Sequence, residues 1–217
     1  MTTVSRSRRS AALRKGDRNQ QAIIDTAERL LGTQSLSDLT VEALARGAGI
    51  SRSSFYFYFG SKDDVVLSLL DRLAGEMDAV IASLGATIAE DPLGSLTAAM
   101  QASAEVWRAH GPVLLASLGA AAADERIRAT WQRWIARFVD EIAETIRAER
   151  ARGAAPDVGA SPKQAASVLV SAHQQAFAQS VAGDASGLAA DEIVSVMVDL
   201  FYRAIYAKPA TVAGPAR

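Results

Sequence analysis

Apolar side chains recur at helical spacing along almost the whole chain, and this period restricts the fold more than any other feature. Strand-like alternation is confined to the short aromatic run at residues 55–59. Capping residues, glycines and prolines divide the apolar periods into about nine segments. The sequence therefore predicts an all-α fold of about nine helices and no sheet.

Most of the predicted helix ends coincide with a cap or a breaker residue. Gly111-Pro112 is predicted to end one helix and start a shorter one, because proline removes a hydrogen bond from a helix interior. The predicted segments are residues 18–31, 41–48, 52–59, 61–90, 92–109, a short Ala-rich helix after 112, 124–152, 162–181 and 189–206.

The net charge of −1 conceals two parts of opposite sign. Residues 1–62 hold 10 basic and 5 acidic side chains, which gives +5. Residues 63–217 hold the other 13 basic and 19 acidic side chains, which gives −6. This division predicts an anion-binding module followed by an acidic body. The basic residues 6–15 could follow a DNA groove or backbone, or could be a disordered solubilising tail.

Several classes of protein are disfavoured by the composition. The chain has no cysteine, which excludes disulfides, thiolate metal sites and cysteine nucleophiles. Its two histidines lack metal-ligand spacing, and no nucleotide-binding or hydrolase motif occurs, so we expect no enzyme and no cofactor or metal. The uncharged residues 164–183 reach membrane-spanning length but contain four Gln and a His. With no secretory signal visible, these features predict a soluble cytoplasmic protein without a membrane partner.

Residues 40–62, TVEALARGAGISRSSFYFYFGSK, predict two short helices joined by a tight turn. Ala45 is small enough to let the helices approach, and Gly49 can adopt the positive φ of the turn. This is a helix-turn-helix, whose second helix enters the major groove of DNA.

The second helix begins with residue types suited to reading base edges. Arg52 can pair with guanine O6 and N7, and Ser53 and Ser54 can donate or accept. We expect Phe55 and Phe59 to point inward. Phosphate contacts are predicted from Ser51 with the free N–H groups at the helix start, from Tyr56, Tyr58 and Lys62, with Tyr56 also placed to pack on a thymine methyl.

The chain resembles the TetR family of transcriptional regulators. The resemblance rests on the amphipathic first helix, Thr40, Gly-Ile-Ser at 49–51 and Phe-Tyr-Phe-Tyr-Phe-Gly-Ser-Lys at 55–62. It continues at residues 148–156 and so covers most of the chain. It implies DNA contacts from Thr40 as well as from the residues above. Glu42 could accept from cytosine N4 or serve only as the anion of a helix start.

Large aromatic residues concentrate in the middle of the acidic body. Trp131, Trp134 and Phe138 share one face of a predicted helix, which suits either ordinary core packing or the wall of a ligand cavity. The family resemblance implies a mostly apolar effector pocket. His173 stands where we expect an amide side chain, and it could contact the ligand or be a satisfied interior histidine. The predicted pocket residues are Leu96, Ser103, Trp107, Trp131, Trp134, Phe138, His173, Phe177 and Phe201.

The eighth and ninth predicted helices are the candidate dimer interface. The predicted domains are a disordered basic arm at 1–17, a helix-turn-helix DNA-binding domain at 18–62, a ligand-binding and dimerisation domain at 63–207 and a flexible tail at 208–217. The predicted function is a homodimeric repressor that binds a palindromic double-stranded operator and is released by a hydrophobic small molecule. The alternatives are a ligand-independent DNA-binding regulator or activator and, less well supported, an enzyme on a helical bundle.

Overall fold

The computed structural model describes residues 3–157, 159–184 and 187–207, with side chains from residue 16 onward. These ranges contain eight α-helices and no strand, which confirms the all-α prediction. The helices are α1 Thr3–Leu31, α2 Val41–Gly47, α3 Arg52–Tyr58, α4 Lys62–Thr87, α5 Pro92–Ala120, α6 Glu125–Ala151, α7 Pro162–Ala182 and α8 Ala190–Tyr206.

The predicted break at Gly111-Pro112 is wrong, because α5 continues through Pro112. A proline withholds a single helical donor, and Val113 and Leu114 directly after it are buried, which favours continuation of the helix. Gly111 serves close packing instead. A Cβ atom at Gly111 would lie 2.6 Å from Cγ1 and 2.7 Å from Cγ2 of Val181. The two segments predicted around residue 111 are therefore one helix, which reduces the count from nine to eight.

Helix α1 begins at Thr3, ahead of the predicted start at residue 18. The side chains of residues 1–15 and the whole of residues 208–217 lie outside the described part of the chain. The roles suggested for the basic arm and the C-terminal tail therefore stay predictions, as do the functional boundaries of the domains.

The chain divides into two compact units. The first, called the N-terminal unit, comprises residues up to Arg72 together with Ala116–Arg128. Its core includes Ile23, Ala27, Leu44 and Phe55, side chains that the helical periods had placed inward. The Arg72 side chain donates to the carboxylates of Asp25, at 2.8 Å, and of Glu28, which fastens the first half of α4 to α1.

The second, called the C-terminal unit, comprises Leu73–Leu115 and the described residues from Ala129 onward. A polar cluster that includes the buried Glu149 lies in it: Glu149 accepts from Tyr206 Oη at 2.6 Å and from Arg152 Nε at 2.7 Å. Burial alone would raise the pKa of Glu149, but the hydrogen bonds from Arg152 and Tyr206 hold it below its ordinary value. None of the described helices has both the length and the apolar composition that a membrane span requires.

Candidate DNA-binding surface and ligand cavities

The helix-turn-helix is shaped by two side-chain caps and two glycines. Thr40 Oγ1 accepts from Ala43 N at 3.1 Å at the start of α2, and Ser51 Oγ accepts from Ser54 N at 3.1 Å at the start of α3. Gly49 has a φ of +68°, as the sequence predicts. A Cβ atom at Gly47 would lie 2.3 Å from Thr26 Cγ2, so this glycine permits the close approach of α2 to α1.

Helix α3 presents two distinct faces. Phe55 is fully buried and Phe59 nearly so, which confirms that they point inward. Arg52, Ser53 and Ser54 are exposed on the first turn, where the sequence places them for reading bases. The aromatic residues at 55 and 59 therefore anchor the helix while its polar first turn stays exposed on the surface.

Phe57 is a surface residue outside the predicted set of DNA contacts. Its side chain is 84% exposed, the most of any large apolar residue in the described chain, and Tyr56 beside it is 49% exposed. The signal was available, because residue 57 falls on the side of the helix opposite Phe55 and Phe59. A large aromatic group exposed on α3 is an apolar contact surface.

Most of the predicted DNA-contacting side chains already have partners within the N-terminal unit. Ser51 Oγ caps α3, and Tyr58 Oη accepts from Asn19 Nδ2 at 2.9 Å. Lys62 Nζ donates to Leu36 O at 2.9 Å and to Ser37 O at 3.3 Å. An ammonium group has three N–H donors and a tyrosine hydroxyl can still donate, so a phosphate contact from either would share the group with an internal bond.

Arg52 is held beside Tyr56 one helical turn later. A hydrogen bond with Tyr56 raises the pKa of Arg52 above its ordinary value, and Glu42 adds a smaller favourable charge interaction. Arg52 is therefore a permanent cation on the outer face of α3, at the position from which the sequence predicts it to read a base.

Two adjoining cavities lie inside the C-terminal unit. The first has an empty volume of about 450 Å³, counting the space at its mouth, and the second about 360 Å³. Their linings share four residues, Met77, Phe138, Val170 and His173. The first is lined further by Val80, Ile81, Leu84, Ala99, Met100, Ser103, Ile142 and Phe201, and the second by Trp107, Leu114, Trp131, Trp134, Ile135 and Gln174.

Most of the predicted pocket residues line these cavities. Ser103 and Phe201 line the first cavity, the three tryptophans line the second, and Phe138 and His173 line both. Leu96 and Phe177 are buried but line neither. Phe177 lies behind the wall, where its ring stacks on Trp107 with centroids 6.0 Å apart.

The cavity-lining side of α4 was missed by the prediction. Met77, Val80, Ile81 and Leu84 follow one face of that helix, and an apolar helical period by itself indicates only that such side chains point inward. An apolar period gives a direction towards the interior, but it does not tell which inward side chains meet empty space and which meet other side chains.

His173 is the most polar group shared by the two cavities. Its Nε2 lies 2.8 Å from Ser103 Oγ, and its ring centroid lies 4.9 Å from that of Phe177. Burial lowers the pKa of His173 to about 4, because an imidazolium ion would lose its hydration there without gaining a counter-ion. At neutral pH the cavity wall therefore presents a neutral imidazole already bonded to a serine.

The apolar residues of α7 and α8 fall into two groups, those buried within the chain and those exposed on its surface. Met197, Val198, Phe201 and Ile205 of α8, and Ala166 of α7, are buried within the chain itself. The exposed apolar side chains on these two helices are Val168, Val196 and Leu200, with Leu188 just before α8.

Known proteins match this chain in two segments, one containing the helix-turn-helix and one containing the C-terminal helices. Residues 23–69 match the family described as "Bacterial regulatory proteins, tetR family", and residues 96–207 match "Transcriptional regulator EthR, C-terminal domain". The chain is 33% identical to the HTH-type transcriptional regulator EthR of Mycobacterium tuberculosis over 91% of this chain and 92% of that protein. It is 31% identical to EthR of Mycolicibacterium smegmatis over 95% and 96%.

A solved structure shares the fold at lower identity. The TetR-family repressor FadR of Thermus thermophilus, crystallised with lauroyl-CoA, superposes with a TM-score of 0.62 at 19% identity, covering 90% of this chain and 99% of that one. The family matches together span the helix-turn-helix and the cavity-bearing helices from residue 96 onward. The chain therefore belongs to the TetR family of transcriptional regulators, with a C-terminal domain of the EthR type.

Proposed function

We propose that this protein is a homodimeric repressor that binds a palindromic operator and leaves it when a hydrophobic small molecule enters its cavities. The observation that carries the DNA-binding part is the two-faced α3, with Phe55 and Phe59 buried and the polar first turn exposed. Two such helices in a dimer would lie in successive major grooves, roughly 34–36 Å apart. Action on the chromosome places the protein in the cytoplasm.

In this proposal Arg52, Ser53 and Ser54 read base edges, while Thr40, Ser51, Tyr56, Tyr58 and Lys62 contact phosphates. Phe57 joins them, because its exposed ring on α3 offers the apolar surface that a thymine methyl group needs. Lys62 and Tyr58 would orient the module as well as touch DNA, since both also hold internal hydrogen bonds.

The ligand-responsive part is supported by the two cavities, whose walls are almost wholly apolar. The lauroyl-CoA bound by the FadR structure shows that a TetR-family repressor can hold an acyl chain. Helix α4 contributes residues to both compact units of this chain, and we infer that it transmits the change. A ligand can shift the equilibrium only by its different affinity for the DNA-binding and released states. A ligand-independent regulator is the rival function.

Dimerisation through α7 and α8 is supported by the exposed apolar residues Val168, Val196 and Leu200. Val168 is the most exposed of the three, at 70%. Because most other apolar residues of α8 are buried within the chain, these three are the ones that a partner subunit would cover.

Footprinting tests the proposed function directly. The purified dimer is incubated at low salt with DNA flanking its own gene, and we expect protection of a two-fold symmetric site. Adding a cavity-binding hydrophobic compound should remove the protection. Absence of any protected palindrome would refute the repressor, and protection unaffected by every bound compound would favour the ligand-independent regulator.

We expect Arg52→Ala and Lys62→Ala to weaken DNA binding in different ways. Loss of Arg52 should cost about 1–3 kcal/mol and relax the preference at one base position. Loss of Lys62 should weaken binding to all sequences alike and reduce the slope of log affinity against log salt by about 1. Binding titrations over a set of operator variants and salt concentrations measure both, with thermal melting to check that Lys62→Ala remains folded. A uniform loss of affinity in both variants would contradict this assignment.

A further inference from the structure

A hydrogen bond joins the first helix to the last residue of α3. Asn19 Nδ2 in α1 donates to Tyr58 Oη at 2.9 Å, and both side chains are partly buried. The two residues lie 39 positions apart in the chain, so the folding of the N-terminal unit brings them together. In the proposed function Tyr58 contacts a DNA phosphate, whereas Asn19 has no assigned role.

The direction of this hydrogen bond determines what the tyrosine hydroxyl can still do. A hydroxyl has one proton to donate and two lone pairs that accept, whereas the amide nitrogen of asparagine only donates. Because Tyr58 Oη accepts from Asn19, its single proton is left for another partner. A phosphate oxygen only accepts, so it complements this hydroxyl. Accepting one hydrogen bond also polarises the hydroxyl and strengthens the bond that it donates.

The bond to Asn19 is not needed to hold α3 in the core. Phe55 is fully buried and Phe59 is 5% exposed, and these two side chains anchor the helix. A hydrogen bond between partly buried groups contributes little to stability beside two buried aromatic rings. What this bond adds is the orientation of the Tyr58 ring, which also packs edge-on against Phe57 with centroids 5.3 Å apart.

Tyr56, two residues earlier in α3, shows the same arrangement. It forms a hydrogen bond with Arg52, whose guanidinium group only donates, so the Tyr56 hydroxyl also accepts within the protein. Each of these two tyrosines therefore keeps its proton for an outside acceptor. The donor to Tyr56 lies on α3 itself, whereas the donor to Tyr58 comes from α1.

We propose that Asn19 is a positioning residue for DNA binding, which fixes the Tyr58 hydroxyl and directs its proton to a phosphate of the DNA backbone. This inference rests on the proposed function, in which Tyr58 contacts a phosphate, and adds a residue that acts through Tyr58. Because neither side chain is charged, the pair displaces no counter-ion from DNA. Its contribution to affinity should therefore change little with salt, unlike that of Lys62.

Binding titrations on the full-length protein test this role with two DNA duplexes of about 30 base pairs, long enough for two half-sites one helical turn apart. One duplex comes from the footprinted DNA flanking the protein's own gene, and the other has a random sequence. Asn19→Leu and Tyr58→Phe should each weaken binding to both duplexes about tenfold, because each removes one hydrogen bond to a charged phosphate. The slope of log affinity against log salt should stay unchanged.

Combining substitutions shows whether Asn19 acts through Tyr58. The variant carrying both Asn19→Leu and Tyr58→Phe should bind about tenfold more weakly, and not about a hundredfold, since both changes remove the same contact. Tyr56→Phe is the matched control, because it removes the same hydroxyl from the same helix without affecting the bond to Asn19. The losses from Asn19→Leu and Tyr56→Phe should multiply, as expected for independent contacts.

Asn19→Asp separates the direction of the proton from a merely structural role. Aspartate keeps the size of the side chain but accepts the tyrosine proton, so none is left for the phosphate. A structural role would survive this change, because the hydrogen bond persists with its direction reversed. We expect no such rescue, and a loss of about tenfold after correction for the added charge. Gln20→Glu, at the neighbouring exposed position of α1, measures the effect of that charge.

Thermal melting checks that every variant is folded. Unchanged affinity in Asn19→Leu, multiplied losses in the variant with Tyr58→Phe, or rescue by Asn19→Asp would overturn the positioning role. A loss confined to the gene-flanking duplex would overturn the phosphate as the partner of Tyr58. Failure of the proposed function looks different: the unmodified protein would bind both duplexes equally, while Asn19 and Tyr58 remained coupled on each. Binding to neither duplex would overturn both.

Discussion

Replacing Phe55 with alanine will lower the free energy of unfolding by about 3–5 kcal/mol, the usual cost of removing a fully buried aromatic side chain. Phe55 has no exposed surface, and it packs at 6.0 Å from Phe59 and 5.6 Å from Tyr56 between ring centroids. It is the largest fully buried side chain of the helix-turn-helix. We therefore expect operator binding to be lost together with stability, since α3 would lose its anchor.

Phe57→Ala is the matched control, made two residues away in the same helix with the same chemical change. Because Phe57 is 84% exposed, its loss should change the free energy of unfolding by less than about 0.5 kcal/mol. Its operator affinity should nevertheless fall, by about tenfold, if the ring packs against a thymine methyl group. Urea unfolding at a fixed protein concentration and operator titration measure the two effects. Comparable destabilisation by both substitutions would contradict the two-faced description of α3.

The stability of the protein will depend on pH through His173. Its pKa is about 4 in the folded protein and 6.5 in an ordinary environment, so the unfolded chain binds the proton first as the pH falls. The contribution of the neutral His173 to the free energy of unfolding is fully present above about pH 6.5 and is lost progressively as the pH falls to about 4. Each pKa unit corresponds to 1.36 kcal/mol, so the whole effect amounts to about 3 kcal/mol and to about 2 kcal/mol between pH 7 and pH 5.

His173→Gln isolates this contribution, because glutamine keeps a polar side chain near Ser103 but does not titrate. The free energy of unfolding of both proteins is measured at several pH values, and the two are subtracted. Contributions common to both proteins, such as those of the surface carboxylates, cancel in this difference. We expect the difference to decrease by about 2 kcal/mol from pH 7 to pH 5. Parallel pH profiles would mean that the imidazole is hydrated or paired in the folded state.

The DNA-binding surface was largely predictable because its structure is local. Thr40 and Ser51 cap helices that begin directly after them, and Gly49 lies in the turn between those helices. These interactions join residues close together in the chain, so residue type and spacing reveal them. The helical period directs Phe55 and Phe59 inward and Phe57 to the opposite, exposed side of the helix.

The cavities were only partly predictable because they depend on how distant helices meet. Trp131, Trp134 and Phe138 were identified from their spacing, yet Leu96 and Phe177 proved to lie outside the linings, and the residues of α4 were missed. The continuity of α5 through Pro112 was likewise not predictable, because it depends on tertiary contacts. The propensity of Pro112 to break a helix is overridden by burial of its neighbours, and Gly111 is needed for contact with Val181 from a remote part of the chain.

The sequence by itself determined the all-helical class, the helix-turn-helix and the family, because apolar periods, caps and the motif at residues 55–62 are properties of short segments. Only the tertiary structure decided which inward side chains border empty space, that Asn19 donates to Tyr58 and that Lys62 holds the loop before α2. It also brought residues 116–128 into one compact unit with the N-terminal residues. These features arise from contacts between residues far apart in the chain, and no local pattern encodes their distances.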